Sequence, residues 1–328
     1  MKNYIEQFPQ QLRTALAIGK EAKITLDKTR IQHIIVIGMG GSGIGANFAA
    51  EFCKAECPVP YLTCKGYELP AFVGKNSLVI ASSYSGNTEE TLIALEVAME
   101  QGAQVICIAS GGRLIDVAIA KGMDYIQIPN EGAPPRACLG YSLVQQLVIL
   151  ARLGFIATER LDEVAAAADL LEREQALIQE KAQKIAPLFV GKFPILYATE
   201  RHEAVVVRLR QQLNENSKIL CSHHVIPEMN HNELVGWRKQ PTEFLVIIFR
   251  SNDDHPRNQA RIAINKEVIR HFTNTLIEVF LKGKNLIEQA FYGVHLGDFL
   301  SWEVAQLREV DPTEVKVIDY LKGELAKH

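Results

Sequence analysis

Short apolar runs ending in glycine or serine alternate with segments of helical periodicity through the first half of the chain. The run His33–Ile37 ends in glycines and predicts a strand, and Ile44–Lys54 after it predicts a helix. Pro60–Cys64, Ser77–Ser82, Gln104–Ala109 and Tyr125–Ile128 predict further strands, with helices at Thr88–Gln101 and Leu114–Lys121. Parallel neighbours need a crossover, and an intervening helix supplies one. This rhythm therefore predicts a parallel sheet with helices on both faces. Two longer helices follow, Cys138–Gly154 and Leu161–Lys184; the second carries Glu163, Asp169, Glu172, Arg173 and Glu174, which keep one face in solvent. The alternation then resumes. Pro194–Ala198, Lys218–Cys221, Glu243–Ile248 and Thr275–Phe280 predict strands, and Glu203–Leu213, Pro256–His271, Leu286–Arg308 and Thr313–Ala326 predict helices. Asp311-Pro312-Thr313-Glu314 gives the last helix an N-cap, a proline at its first position and a glutamate at its third. The expected fold class is α/β: two domains of like architecture, residues 1–155 and 156–328, each a parallel sheet flanked by helices on both faces.

Composition narrows the function classes. A chain of 328 residues suits two domains, and 48% hydrophobic residues supply two cores. Lys and Arg total 35 against 38 Asp and Glu, a net charge of −3, so no polyanion-binding surface and no nucleic-acid partner are expected. No apolar run approaches the roughly 20 residues of a membrane span, and Met1–Arg13 lacks the apolar core of a signal peptide. The expected location is cytoplasmic. Cys53, Cys57, Cys64, Cys107, Cys138 and Cys221 sit mostly in apolar segments and read as buried or semi-buried thiols in a reducing compartment. Cys53 and Cys57 have an i, i+4 spacing that could hold a metal, but no second ligand pair stands near them.

Two turns carry candidate chemistry. Gly38-Met39-Gly40-Gly41-Ser42-Gly43 follows a strand and opens a helix, so a dinucleotide loop has to be weighed. That reading wants an acid at the end of the second strand for the ribose hydroxyls, and Leu62-Thr63-Cys64-Lys65-Gly66 has none. A tight structural turn and a sugar-phosphate loop are the other readings. The second turn, Ser82-Ser83-Tyr84-Ser85-Gly86-Asn87-Thr88, again joins a strand to a helix. Ser82, Ser83, Ser85 and Thr88 bring hydroxyl donors to a helix N-terminus, where free amides and the helix dipole favour an anion. The plainer alternative is a helix cap by Asn87 or Ser85 with Glu90 closing the box. One cap needs one side chain, so four hydroxyls favour phosphate. The absence of Lys and Arg from the loop suits a monophosphate.

Taken together, Gly-Gly-Ser-Gly in the first turn and Ser-x-Ser-Gly-Asn-Thr-x-Glu in the second resemble the sugar isomerase (SIS) fold. Pro134-Pro135-Arg136, Gly140-Tyr141-Ser142-Leu143, Leu213-Asn214-Glu215-Asn216-Ser217-Lys218 and Pro227-Glu228-Met229-Asn230-His231-Asn232-Glu233 resemble the bifunctional phosphoglucose/phosphomannose isomerases, nearly end to end. The resemblance implies a reversible aldose–ketose isomerase acting on hexose 6-phosphates through a cis-enediol, with no cofactor and no metal. It implies that Gly41, Ser42, Ser83, Ser85 and Thr88 hold the substrate and its phosphate. It assigns Glu215 as base, His231 as the group that opens the sugar ring, Arg136 as the cation that steadies the intermediate, and Lys322, or else Lys316, as a further site lysine. It also implies a homodimer with shared active sites.

The chemistry asks for the same parts. Moving a proton between C2 and C1 needs one base within reach of both carbons, a cation near the developing oxyanion and an acid/base for ring opening. His223, His224, His231 and Cys221 could instead hold zinc, but their spacing fits no common zinc pattern. Three alternatives stand beside the isomerase. They are an amino-sugar phosphate isomerase of the same fold, a sugar-phosphate sensor without activity, which needs only the phosphate loops, and a nicotinamide-dependent dehydrogenase.

Overall fold

The computed structural model describes residues 1–327. In chain order the elements are α1 (Lys2–Glu6), α2 (Phe8–Glu21), β1 (His33–Ile37), α3 (Gly40–Cys53), β2 (Tyr61–Cys64), β3 (Ser77–Ser82), α4 (Glu89–Glu100), β4 (Gln104–Ala109), α5 (Gly112–Lys121), β5 (Asp124–Gln127), α6 (Leu139–Arg152) and α7 (Glu159–Ile185). They continue with β6 (Phe193–Thr199), α8 (Glu203–Glu215), β7 (Ser222–Ile226), α9 (Glu233–Gly236), β8 (Phe244–Arg250), α10 (Pro256–Arg270), β9 (Thr275–Phe280), α11 (Leu286–Leu307) and α12 (Lys316–Leu325). Two compact units result. One holds Glu6–Arg173 and Gly283–Tyr292; the other holds Met1–Ile5, Glu174–Lys282 and the chain from Gly293 on. Compactness thus divides the chain inside α7, whereas residues 155 and 156 fall in the turn between α6 and α7. No helix among the described residues is long and apolar enough to cross a membrane.

In the first unit a parallel sheet runs β2-β1-β3-β4-β5. Every residue of β3 is buried, as expected of a central strand covered on both faces. On one face Ile35, Ile37, Val79, Ala81, Val105 and Cys107 pack against Ala94, Leu95, Ala98, Leu114, Ile115 and Ala118 of α4 and α5. Because β1 leads to β2 on one side and β3 on the other, strand order reverses between β1 and β3. In such sheets the crevice beyond the strands' carboxyl ends at that point is the place for a ligand.

The second unit repeats the scheme with four strands, β7-β6-β8-β9, all parallel. Ile195, Tyr197, Val246 and Ile248 pack against Ile262 and Ile269 of α10 and against Met229 and Trp237. The buried Arg208 guanidinium pairs with Asp298 at 2.8 Å while Gln212 donates to the other carboxylate oxygen at 2.8 Å, tying α8 to α11. Removing one partner of such a buried pair costs about 3–5 kcal/mol.

Four expectations need correction. The strand expected at Lys218–Cys221 lies instead at Ser222–Ile226. Lys218 adopts φ +56°, and Ile219 N–H bonds back to Leu213 O at 3.3 Å, so the apolar residues after it belong to the C-terminal cap of α8. The last helix starts at Lys316, not Thr313. Asp311 accepts from Thr313 N–H at 2.8 Å and from its hydroxyl at 2.6 Å, so the capping motif closes a turn and the helix begins after it. Helix α3 begins at Gly40 rather than Ile44, which puts the glycine-rich segment in its first turn. Residues Phe8–Glu21, for which no element was expected, form α2, whose Leu12, Ala15 and Gly19 are buried.

Candidate active site

Both hydroxyl- and glycine-rich turns lie at the carboxyl ends of β1 and β3. They approach so closely that Gly38 leaves no room for a side chain. A Cβ on Gly38 would stand 2.8 Å from Ser82 O, and one on Gly41 would stand 3.1 Å from Pro135 O and 3.8 Å from Arg136 Cα. The first loop is therefore backed directly by the segment that carries Arg136, itself only 5% exposed. Ser42, in the first turn of α3, is also buried.

The second loop is built to leave the start of α4 open. Thr88 is the N-cap residue, yet its side chain caps nothing; its hydroxyl lies 2.8 Å from that of Ser83. Ser83 Oγ accepts from Gly86 N–H at 3.1 Å, and Ser85 Oγ accepts from Asn87 N–H at 3.2 Å. Asn87 does not cap α4 either; its Oδ1 accepts from Arg113 N–H at 3.0 Å. The first-turn amides of α4 thus lack a side-chain acceptor, the arrangement that receives an anion. Ser83, Ser85 and Thr88 lie together in this loop; Ser85 is exposed, Thr88 half-buried and Ser83 buried.

Two further features escaped the sequence reading. Glu131 N–H donates to the Tyr84 hydroxyl at 3.1 Å, and the Tyr141 hydroxyl donates to Glu131 Oε1 at 2.5 Å. This chain of bonds ties the second loop to the Arg136 segment. Burial above all, and then a hydrogen bond to Cys138, pushes the Tyr84 phenol well above its ordinary value; burial and Glu131 do the same for Tyr141, so both stay protonated donors. The other feature is Lys65, at the end of β2. A Cβ on Gly43 would meet its Cε at 3.1 Å, so a cation lies against the first loop where a dinucleotide site would place an acid. No signal at Lys65 distinguished it from any strand-end lysine.

Glu215 closes α8 in the second unit. It is half-buried and lines a cavity of about 360 Å³ with Asn214, Lys218, Ile219, Leu220, Glu314, Val315, Val317 and Ile318. Its asparagine neighbours fix the backbone around it. Asn214 Nδ2 donates to Ile219 O at 2.7 Å and Asn216 Nδ2 to Ser301 Oγ at 2.9 Å, while Ser217 Oγ donates to Ser301 O at 2.6 Å. Lys218 Nζ donates to Glu215 O at 2.5 Å and to Glu314 O at 2.6 Å. A carboxylate set this way on a rigid helix end, beside an apolar wall, can move a proton with little reorganisation.

His231 ends a short 3₁₀ turn, Glu228–His231, and is exposed; it does not line the Glu215 cavity. Lys316 and Lys322 lie on α12, both exposed, and neither lines that cavity. The structure therefore gathers Gly41, Ser42, Ser83, Ser85, Thr88 and Arg136 in one unit and carries Glu215, His231 and Lys322 on the other. Burial pushes His223 down to about 4, helped by Arg210 and His224. Among the described residues no three His, Cys, Asp or Glu side chains converge as a metal cage. Two larger clefts, about 670 and 660 Å³, border the start of β5. That is the wrong end of the sheet for a ligand, and Asp124 there is already engaged by Thr25 and by Leu26 N–H.

Comparison with known proteins adds to this geometry. The profile of the bacterial phospho-glucose isomerase C-terminal SIS domain matches residues 178–325. A bifunctional phosphoglucose/phosphomannose isomerase of Caldicellulosiruptor bescii is 36% identical over 98% of both chains. One from Aquifex aeolicus is 34% identical over 93% of this chain and 94% of its own. Among solved structures, the C-terminal domain of glucosamine-fructose-6-phosphate aminotransferase from Francisella tularensis superposes with a TM-score of 0.74 at 17% identity, covering 96% of this chain and 97% of that one. That likeness speaks for the two-domain SIS fold. With two such parallel sheets and relatives matched from end to end, the chain belongs to the bifunctional phosphoglucose/phosphomannose isomerase family of SIS-domain sugar-phosphate isomerases.

Proposed function

We propose that this enzyme interconverts glucose 6-phosphate, and also mannose 6-phosphate, with fructose 6-phosphate through a cis-enediol. The observation that carries the reading is the uncapped start of α4 with the Ser83, Ser85 and Thr88 hydroxyls grouped before it. In this reading those hydroxyls, with Gly41 and Ser42, hold the substrate and its phosphate. His231 donates a proton to the ring oxygen and accepts one from the C1 hydroxyl, opening the ring. Glu215 removes the proton from C2, leaving an enediolate, and returns it to C1; the hydroxyl proton on C2 is lost as its carbonyl forms, and the former aldehyde oxygen gains one. Arg136 faces the developing negative charge, which is why a metal is not needed. Lys322, or Lys316 in its place, completes the site.

We further propose that residues 1–155 and 156–328 are the two SIS repeats and that the working unit is a homodimer with shared sites. A coupled assay with glucose, mannose, fructose and glucosamine 6-phosphates tests the reading. Turnover of the first three, unaffected by EDTA, is expected. Turnover of glucosamine 6-phosphate alone would favour the amino-sugar isomerase, binding without turnover the sensor, and activity lost in EDTA and restored by zinc would overturn the metal-free step.

A further inference from the structure

The segment that carries His231 is held on both sides of the imidazole. Before it, Met229 is fully buried, and Asn230 Nδ2 donates to Oδ1 of the buried Asn265 on α10 at 2.6 Å. After it, Asn232 Oδ1 accepts from Glu233 N–H at 2.6 Å and caps α9. The Glu233 carboxylate then accepts from the Tyr197 hydroxyl, which in turn accepts from Trp237 Nε1–H at 3.1 Å. Tyr197 stands on the central strand β6 and is 1% exposed; Trp237 is 4% exposed. A buried phenol and a buried indole N–H each need a partner, and here one carboxylate, two residues beyond His231, terminates the chain. Burial and the Glu233 charge push the Tyr197 phenol far above its ordinary value, so it remains the donor.

We infer that Tyr197, acting through Glu233, is a positioning residue for His231. It fixes the loop so that the exposed imidazole is presented in one place for ring opening. This rests on the assignment of His231 above. The opposing view is that Tyr197 only fills the core. The two differ in what they predict for ring opening, because an imidazole displaced by about 1 Å can lose as much as about a hundredfold in rate, whereas lost packing lowers stability alone.

Anomer exchange of glucose 6-phosphate, followed by NMR, reads ring opening without isomerisation. The full chain is compared with Tyr197→Phe, Glu233→Leu, Glu233→Gln and His231→Ala, each checked for folding by its melting curve. His231→Ala should abolish exchange. Tyr197→Phe and Glu233→Leu should each cut exchange about tenfold or more, with the Kd for glucose 6-phosphate shifted less than about twofold, since the phosphate loops are untouched. Glu233→Gln keeps an oxygen acceptor for the phenol and should recover most of the rate lost in Glu233→Leu. A folded Tyr197→Phe or Glu233→Leu with full exchange, while His231→Ala has none, overturns the inference alone; Glu233→Leu serves if Tyr197→Phe does not fold. Normal exchange in His231→Ala overturns the assignment of His231 itself, and the inference with it.

Discussion

Changing Glu215 to glutamine replaces one carboxylate oxygen with an amide nitrogen and leaves Asn214, Asn216 and Ser217 to hold the helix end as before. If Glu215 is the base, kcat should fall by about 10²–10⁴ while the affinity for fructose 6-phosphate stays near normal. Steady-state kinetics with a binding titration checks this; near-normal turnover would return Glu215 to the role of a cavity-wall charge. A second prediction concerns two histidines outside the site. Burial pushes His202 down to about 4 and His295 to about 3. In the unfolded chain each would titrate near the ordinary histidine value of about 6.5. As pH falls below that value the unfolded state takes up protons the folded state refuses, so stability declines until the folded-state values are reached. Each histidine can contribute a slope of up to about 1.4 kcal/mol per pH unit. Melting temperature should therefore fall steadily between about pH 6.5 and 4, and His295→Gln should flatten the decline. An unchanged slope in that variant would show that groups other than His295 set the acid limit.

Each loop at a switch point is tailored by a few backbone demands. Gly86 has φ +70°, and a Cβ there would stand 1.8 Å from Gly111 O, so Gly86→Ala must displace the turn that presents Ser85 and Thr88. Its KM for hexose 6-phosphates should rise by more than that of the double change Ser85→Ala, Thr88→Ala, which removes donors but keeps the turn. The reverse order would place recognition in the hydroxyls rather than the amides. In the second sheet the matching place after β8 is already filled. Buried Asp254 accepts from Ser251 N–H at 2.9 Å and from the Thr199 hydroxyl at 2.8 Å, a carboxylate at the place where the proposed function puts an anion in the first sheet. The alternation of strands and helices was legible because central parallel strands are apolar throughout and their turns need glycine or serine. Ile219 and Leu220 misled, since an apolar pair reads alike whether it enters a strand or walls a cavity; only the φ of Lys218 decides. The two turns rich in glycine and hydroxyl residues were legible as local sequence. The links from Glu131 to Tyr84 and from Tyr197 to Glu233 were not, because they span 47 and 36 positions and no local pattern marks them.

For the molecule as a whole, the proposed machinery is divided. The anion loops and Arg136 belong to one unit and Glu215 and His231 to the other, and His231 is exposed and stands outside the cavity lined by Glu215. An exposed imidazole on an anchored loop suits a residue that serves a neighbour, and the proposed two-fold dimer would give each site a glutamate from one subunit and a histidine from the other. Mixed dimers distinguish this from a site complete in one chain. Subunits carrying Glu215→Gln are combined with subunits carrying His231→Ala, each inactive alone. In a hybrid with crossed sites, one site receives both altered residues and the other receives neither. Each hybrid should regain about half the activity of a normal dimer, and random pairing in equal amounts should restore about a quarter of the total. If each chain's histidine serves its own glutamate, every site in the hybrid keeps one defect and nothing returns. Differently tagged subunits, purified as hybrids, show that exchange has taken place. A tagged hybrid without activity, or a fully active monomer in sedimentation, would end the crossed-site proposal.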